Sequence, residues 1–571
     1  MRWSMVKQEK SKVWILFGAA LILSCFPLFT ADIKDAHDIS FHINRIIGLC
    51  EAVRNGQFPA LIQPDLNNGY GYAALALYPG LFLYIPAVMV LLGMPAVFAY
   101  KIFLVFINAG TFLIMYGSMR TLACGRKNSA LCSFIYTLSV YRLGCIFIRG
   151  ALGEVLGMCF FPLIVAGGYE LLSGNRKRWP LLVIGVTGIL QSHIISTFLA
   201  LCVGIVMIWM YRRNVVKEKR WKELLLFCAC TFILNLWFLV PFLDFYRQPL
   251  NLNIQGSGKG IYYLNTIIPA QLFNLLGDNF GIAYTPEHGI LGEMSMTPGM
   301  SVFLGLALLT AFIAARPKSE NNRFIGRCWC TALALLLLST SILPWEKLQN
   351  IGIINKAAGW IQFPMRLLGP ASVLILTGTA LVLESWEVLS VKVRRAVSYA
   401  LIISALIPAI MIGTKVFRQN TFMNALEAVP QVNAMGLGKE YLMQGTDDAL
   451  LYQEGISADR SVVTIENYHK TGTHITFSYV NEGENQRAEL PLLWYPGYTV
   501  KDENGEVLKT AAGENNVLCV LLKDYSEGAV RVYYGGKTAY RLAAFGSAAG
   551  ALVMTVWWIG RKKRKASDET D

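Results

Sequence analysis

Apolar runs long enough to cross a membrane recur along most of this chain, and they constrain its fold more than any other feature. A helix needs roughly 17 to 25 residues to cross the hydrocarbon core of a bilayer. The clearest runs span 13–30, 101–116, 151–172, 180–196, 198–210, 224–245, 300–315, 329–343, 367–383, 397–412 and 542–559, with weaker runs at 75–93 and 128–147. Of the 571 residues, 54% are hydrophobic and only 15% are charged, a balance that a soluble protein does not need. The sequence therefore predicts an all-α polytopic transmembrane bundle of about 12 spans.

The excess of positive charge, +14 in all, indicates how the chain is oriented in the membrane. Basic residues cluster at 120–127, 176–178, 212–222, 316–327, 392–395 and 561–565. Lys and Arg in short loops stay on the cytoplasmic side during insertion, so this pattern favours a topology signal over a nucleic-acid site. We therefore expect no nucleic-acid partner, and N and C termini that are both cytoplasmic. The outer loops are then 31–75, 148–153, 246–297, 344–366 and 414–538.

Residues 75–148 fit this topology only with an exception. If both 75–93 and 101–116 cross, the basic loop at 120–127 lies outside, against the positive-inside pattern. Either the segment 78–93 does not cross fully, or these charges are external and 128–147 lies along the outer interface. Both alternatives leave Arg149 and Glu154 at the outer surface.

The composition changes at about residue 420, where polar residues and glycine-rich turns replace the apolar runs. An apolar residue occupies every second position in 475–479 and again in 530–534. Such alternation is typical of half-buried strands. We predict a small extracytoplasmic β-sandwich within 414–538, between a transmembrane module at 1–413 and a last span with a basic tail at 539–571.

An acidic helix is predicted directly after the first span. At 100° per residue, Asp38, His42 and Arg45 fall on one stripe, and apolar residues between 39 and 53 fall on another. A carboxylate flanked by imidazoles and a guanidinium at a membrane boundary can abstract a proton from a hydroxyl. Alternatively, Asp38 caps the helix and the polar stripe faces water. A third interpretation joins His37 or His42 to Asp38 in a divalent-metal site.

An ordered set of motifs spans nearly the whole chain. They are Asp38-x3-His42-x2-Arg45, Asn67-Asn-Gly-Tyr-Gly-Tyr72, Tyr78-Pro79, Arg149-x4-Glu154, Gln362-Phe-Pro-Met-Arg366, Glu440-Tyr-Leu442 and Tyr495-Pro-Gly-Tyr498. In this order they resemble the bacterial membrane family labelled pyruvoyl-tetrahydropterin synthase-related, close to YfhO-type proteins. That family looks like part of the GT-C glycosyltransferase superfamily, whose members use a polyprenyl-phosphate sugar donor and an aspartate in the first outer loop. Met365 stands where the family pattern has Trp.

The resemblance implies catalytic roles for three acidic residues. Asp38 matches the first-loop aspartate and becomes the candidate base, with Asp35 as the reserve candidate. Glu154 pairs with Arg149 or acts as a second acidic group. Arg149 and Arg366 would bind the donor's phosphate, and the alternative is that each side chain reaches to the membrane interface.

The remaining substrate-binding candidates share amide, aromatic or basic side chains. They are His37, His42, Arg45, Asn68, Tyr70, Tyr78 and Gln362. Amides and aromatic faces between 67 and 78 suit a sugar ring, although a turn with an interfacial aromatic belt is an equal alternative. His193 lies in an apolar run, where we expect a hydrogen-bonded interior residue and not a ligand.

Together these expectations predict a glycosyltransferase of the bacterial cytoplasmic membrane. It would move a hexosyl or pentosyl unit from a polyprenyl-phosphate donor to a cell-envelope glycan, a teichoic-acid-like polymer or a lipid on the outer face. Membrane lipids are the other expected partners, and a divalent metal ion is the one cofactor left open. The rival functions are a lipid or polysaccharide transporter and a non-catalytic scaffold for envelope assembly.

Overall fold

The computed structural model describes residues 2–30, 32–252, 261–276, 296–316, 321–419, 422–423 and 439–567. Parts of the predicted outer loops 246–297 and 414–538 lie outside these residues, as do the side chains of the basic tail at 561–565. The described helices are α1 Arg2–Cys25, α2 Ile39–Arg54, α3 Ala74–Leu77, α4 Tyr84–Leu91, α5 Ala96–Thr121, α6 Arg126–Thr137, α7 Val140–Phe147, α8 Leu152–Leu172, α9 Pro180–Leu190, α10 Ile194–Met210, α11 Arg212–Lys217, α12 Trp221–Tyr246, α13 Ile261–Leu264, α14 Pro269–Leu272, α15 Met300–Ala315, α16 Asn322–Leu338, α17 Trp345–Leu348, α18 Gly352–Ile361, α19 Leu368–Ser385, α20 Val391–Arg418 and α21 Thr538–Ser567.

Seven helices in this part of the chain are long and apolar enough to cross a membrane, which makes the protein a multi-pass membrane protein. The spans are Ser11–Leu28, Ala96–Thr121, Leu152–Leu172, Trp221–Tyr246, Pro364–Ser385, Val391–Arg418 and Thr538–Gly560. The pair α6 and α7, bent by 42°, raises the count to eight if it forms one broken span. Leu81–Leu91, Ile194–Met210 and Met300–Ala315 are apolar but shorter. The predicted count of about 12 spans is therefore not confirmed.

The predicted runs 180–196 and 198–210 are divided differently in the structure. The chain breaks at 191–193, between α9 and α10, and not near residue 197. The His193 side chain accepts a hydrogen bond from the Ser196 amide and so caps α10. This cap satisfies an amide that would otherwise have no partner in the first turn of α10.

One compact unit comprises Met1–Ser40, Val97–Cys228 and Gly256–Glu427. Small residues let two of its helices pack closely. A Cβ added at Gly167 of α8 would lie 2.7 Å from the Leu182 amide nitrogen, and one at Gly188 of α9 would lie 2.4 Å from the Phe160 ring. Close approach through small residues is how membrane helices gain packing energy, because lipid supplies little hydrophobic drive between them.

The second unit comprises Phe41–Ala96, Ala229–Gln255 and Ala428–Asp571, and it contains a β-sandwich. Its strands are β3 Ser457–Ala458, β4 Val463–Thr471, β5 His474–Asn481, β6 Arg487–Leu493, β7 Tyr498–Asp502, β8 Thr510–Ala512, β9 Val517–Leu521 and β10 Ser526–Tyr534. The sheets run β4-β5-β10-β7 and β3-β6-β9-β8, with every pairing antiparallel. Phe477 faces Val530 and Ile475 faces Val532 across the first sheet, and all four are buried. The alternation read from the sequence therefore predicts the inward face correctly.

The helix after the first span is confirmed, but its polar stripe does not face water. Helix α2 begins at Ile39, one residue after Asp38, and ends at Arg54, just before Gly56. His42 and Arg45 are each only 2% exposed, as buried as the apolar stripe. The interpretation of a solvated stripe is therefore wrong, because other parts of the fold cover both sides of the helix.

The boundary at residue 413 stays a prediction. Helix α20 continues past it to Arg418. Beyond this helix, β2 Phe422–Met423 pairs with β1 Ile33–Lys34, so the start of the first outer loop and the segment after α20 form a short antiparallel ladder.

Candidate functional site

Backbone hydrogen bonds join residues 37–38, in the predicted first outer loop, to the chain just after α7. The His37 amide donates to the Ile148 carbonyl at 3.2 Å, and the Asp38 amide donates to the Arg149 carbonyl at 2.8 Å. Gly150 has a φ of +62°, and a Cβ there would lie 2.7 Å from the Ile39 side chain. Only glycine fits this conformation and this close approach without strain. The sequence Arg149-Gly150 therefore fixes where the first-loop aspartate sits.

Arg149, Glu154 and Arg366 form a buried ion cluster. Nη1 of Arg149 lies 2.6 Å from Oε2 of Glu154, and Nε of Arg366 lies 3.3 Å from the same oxygen. All three side chains are less than a tenth exposed. Glu154 stands in the first turn of α8, where the positive end of the helix dipole favours a carboxylate. Arg149 and Arg366 are therefore not interfacial side chains reaching for water, and that alternative is wrong.

Arg366 is oriented by the turn in which it lies. Pro364 opens a short 3-10 helix, Pro364–Leu367, and forces an extended conformation on the residue before it. Nη1 of Arg366 donates to the Ile361 carbonyl at 2.9 Å and to Oε1 of Gln362 at 3.0 Å. Gln362, predicted to bind substrate, here holds the guanidinium in place.

Phe363 supplies an aromatic face to both arginines. Its ring centre lies 5.0 Å from Cζ of Arg366 and 5.9 Å from Cζ of Arg149, within the range of a cation–π interaction. The family pattern has Trp at position 365, where this chain has a buried Met365. Phe363 therefore provides aromatic character in the same turn.

Asp38 differs from Asp35 in its surroundings. Asp35 is exposed, whereas Asp38 is partly buried. Burial raises the pKa of Asp38 above its usual range, against the opposing effects of Arg149, His37 and Arg366; the Glu154 charge adds to the rise. A raised pKa makes a carboxylate a better base near neutral pH. Asp38 directly precedes α2, at the position of a helix cap, but no capping hydrogen bond to its carboxylate occurs among the described residues.

The metal-site interpretation also lacks a ligand set in this part of the chain. Among the described residues, no group of three or more His, Cys, Asp or Glu side chains could hold a metal ion. His37, one of the two proposed partners of Asp38, is exposed. A divalent metal ion stays the one cofactor left open.

The other substrate-binding candidates belong to the second unit. Nδ2 of Asn68 donates to the Leu451 carbonyl at 2.5 Å, and the Tyr70 hydroxyl donates to the Gln453 carbonyl at 3.2 Å. Both polar groups therefore attach the segment 67–72 to the chain that leads into the β-sandwich. His42, Arg45 and Tyr78 lie together elsewhere in the same unit.

Two residues beside the ion cluster were not singled out as site residues in the sequence. The Tyr141 hydroxyl donates a short hydrogen bond to Oε1 of Glu154. His193 lies within electrostatic range of Glu154 and is hydrogen-bonded to Ser196, as expected for an interior histidine. The signal for Tyr141 was its spacing of four from Cys145 and of eight from Arg149, which places all three toward one side of a continuous helix.

The comparisons with known proteins give distant similarities. No family model matches the sequence. An "Uncharacterized protein" of Lactococcus lactis subsp. cremoris (strain MG1363) is 22% identical over 352 residues, which is 60% of this chain and 55% of that protein. This chain thus spans about half the length of the curated relative it matches.

Two solved structures are also similar in fold, at low scores. Arabinofuranosyltransferase AftD from Mycobacteria is 18% identical with a TM-score of 0.42, covering 72% of this chain and 27% of AftD. The archaeal oligosaccharyltransferase AglB from Archaeoglobus fulgidus, in complex with an inhibitory peptide and a dolichol-phosphate, is 11% identical with a TM-score of 0.42. That match covers 73% of this chain and 57% of AglB.

Proposed function

We propose that this protein is a membrane glycosyltransferase of the GT-C type. The observation that supports it best is the buried cluster of Arg149, Glu154 and Arg366 beside the partly buried Asp38. Two guanidinium groups face one carboxylate, so the cluster carries an excess positive charge suited to an oxyanion. Asp38 has the raised pKa of a general base.

The proposed reaction assigns one role to each part of this cluster. Asp38 takes the proton of the acceptor hydroxyl as that oxygen bonds to the anomeric carbon of the donor sugar. The bond from the anomeric carbon to the phosphate oxygen breaks, and polyprenyl phosphate leaves with the electron pair. Arg149 and Arg366 stabilise the negative charge that develops on the leaving phosphate. A direct displacement of this kind inverts the configuration at the anomeric carbon.

The donor and acceptor follow from the membrane setting. A polyprenyl-phosphate sugar presents its phosphate at the membrane surface, and the predicted topology places 31–75 and 148–153 on the outer face. The acceptor is then a cell-envelope glycan, a teichoic-acid-like polymer or a lipid. In this proposal the module 1–413 carries the chemistry, the β-rich domain within 414–538 recognises the acceptor or a partner, and the bacterial cytoplasmic membrane holds both.

One assay separates this proposal from its two rivals. Purified protein in vesicles is given a polyprenyl-phosphate donor with a radiolabelled sugar and a mixture of envelope acceptors. A glycosyltransferase moves the label to the acceptor. A transporter moves the intact labelled lipid across the vesicle bilayer, and a scaffold does neither. Label that crosses the bilayer without changing its chemical attachment would contradict the proposal.

A further inference from the structure

Arg45 is a buried cation of the second unit, and the part of the chain that the structure describes gives it no counter-charge. Its Nη2 donates to the carbonyls of Tyr78 at 3.0 Å and Pro79 at 2.8 Å, and its Nη1 lies 3.4 Å from Nδ1 of His42. The Tyr78 ring covers the guanidinium, with its centre 4.1 Å from Cζ. Among the described residues no carboxylate pairs with Arg45, and its buried Nε has no hydrogen-bond partner.

Carbonyl groups and a ring stabilise a guanidinium without neutralising it. A buried charge that lacks a counter-charge costs several kcal/mol even after the surrounding protein relaxes. Arg149 and Arg366 are comparably buried, yet both pair with Glu154. Burial also lowers the pKa of Arg45, to about 10, which still leaves it positively charged at neutral pH. The arrangement therefore lacks an anion.

We propose that Arg45, together with His42 and Tyr78, binds an oxyanion, a phosphate or carboxylate group. The unpartnered Nε–H donates to one oxygen of this group. The Nη1 atom can exchange its long contact with His42 for a hydrogen bond to a second oxygen of the group. A guanidinium fits two oxygens of one phosphate or carboxylate at once. The binding itself does not depend on turnover.

Thermal unfolding of the full-length protein in detergent tests this binding. Inorganic phosphate or glucuronate replaces chloride at constant ionic strength, for the parent protein and for Arg45→Lys. A ligand that binds the folded state raises the unfolding temperature by an equal increment for each tenfold rise in concentration above its Kd. We expect this rise in the parent protein and a clearly smaller one in Arg45→Lys, which keeps the charge but loses the planar fork.

Two further variants keep the test decisive. Arg366→Lys alters the other cationic cluster, so the contribution of Arg45 to the rise should remain. If Arg45→Lys does not fold, His42→Gln replaces it and should also change the anion dependence.

A rise with phosphate alone assigns a phosphate group, and a rise with glucuronate alone assigns a carboxylate. The absence of such a logarithmic rise with both anions, or an equal rise in Arg45→Lys and parent protein, would overturn the proposal. Because no sugar is transferred, failure of the proposed enzymatic activity would leave this result unaffected.

Discussion

Burial separates residues of this chain that look alike in the sequence. Asp35 and Asp38 are three positions apart, yet only Asp38 is partly buried and within electrostatic range of two arginines. The resemblance, which an ordered set of motifs carries, predicts Asp38 as the candidate base. It did not select Tyr141, whose role depends on a contact with Glu154 that tertiary packing creates.

The pH dependence of transfer should report the environment of Asp38. Its raised pKa means that the base is protonated, and transfer is slow, up to a pH above the usual aspartate value of about 3.9. Since the His37 charge lowers the pKa of Asp38, His37→Gln should move the acidic limb of kcat/KM to higher pH. Asp35→Asn is the matched control and should leave that limb in place. A limb that moves with Asp35→Asn and not with His37→Gln would exclude Asp38 as its origin.

Replacing Arg366 by Lys should weaken donor binding while preserving the fold. Lysine keeps the charge but loses the planar fork that contacts Glu154 and Gln362 and that, in the proposed function, also binds the donor's phosphate. We expect the KM for the donor to rise about tenfold, with an unfolding temperature close to that of the parent protein. Arg178→Lys is the control and should leave KM unchanged, because the half-exposed Arg178 pairs with Glu170 and not with any residue of the ion cluster. An unchanged donor KM in Arg366→Lys would exclude that side chain from phosphate recognition.

At the scale of elements, local sequence patterns predicted the buried face of a β-sheet, but neither the break between α9 and α10 nor the burial of both sides of α2. The alternation in β5 and β10 identified the buried face of a sheet because each strand has one side in a core. The run at 180–210 did not reveal its break, because the cap of α10 is a histidine and not one of the usual capping residues. The sequence of helix α2 has one polar stripe and one apolar stripe, but both stripes are buried in the structure by residues distant in sequence.

In the connection between α7 and α8, Gly150 should be the residue that tolerates substitution least. Alanine there meets both an unfavourable positive φ and the Ile39 side chain, so we expect a loss of roughly 2–5 kcal/mol of stability or a displaced Asp38 with little activity. Gly56→Ala is the matched control, since Gly56 has a φ of +76° but open space around its Cβ position. It should cost only about 1–2 kcal/mol. Equal unfolding temperatures and activities for the two variants would show that this close approach does not position the site.

At the scale of the whole molecule, the proposed function depends on the predicted topology, in which 31–75, 148–153 and 414–538 are outer loops. The seven long apolar helices establish the membrane setting, and the basic loops predict its orientation. The sequence could not give the number of spans. Shorter apolar helices such as Met300–Ala315 fall below the length at which composition alone identifies a crossing.

Reporter fusions test this orientation directly. A reporter placed after Lys565 should be cytoplasmic, because a basic cluster follows the last long apolar helix. One inserted at the turn near Gly483, between β5 and β6, should be extracytoplasmic. The two reporters form a matched pair, because the single span Thr538–Gly560 lies between them and they should report opposite sides of the membrane. A cytoplasmic signal from the Gly483 insertion would place the β-sandwich away from a donor on the outer face.

The central claim is that Asp38 acts as the base in sugar transfer, and the transfer rate of Asp38→Asn measures it most directly. The substitution keeps the shape of the side chain and removes the base, so transfer of radiolabelled sugar should fall by a factor of about 10² to 10⁴. Expression and unfolding temperature should match those of the parent protein, and Asp35→Asn should be milder. An Asp38→Asn protein that transfers sugar at the parental rate would contradict the mechanism and leave Asp35 and Glu154 as the acidic candidates.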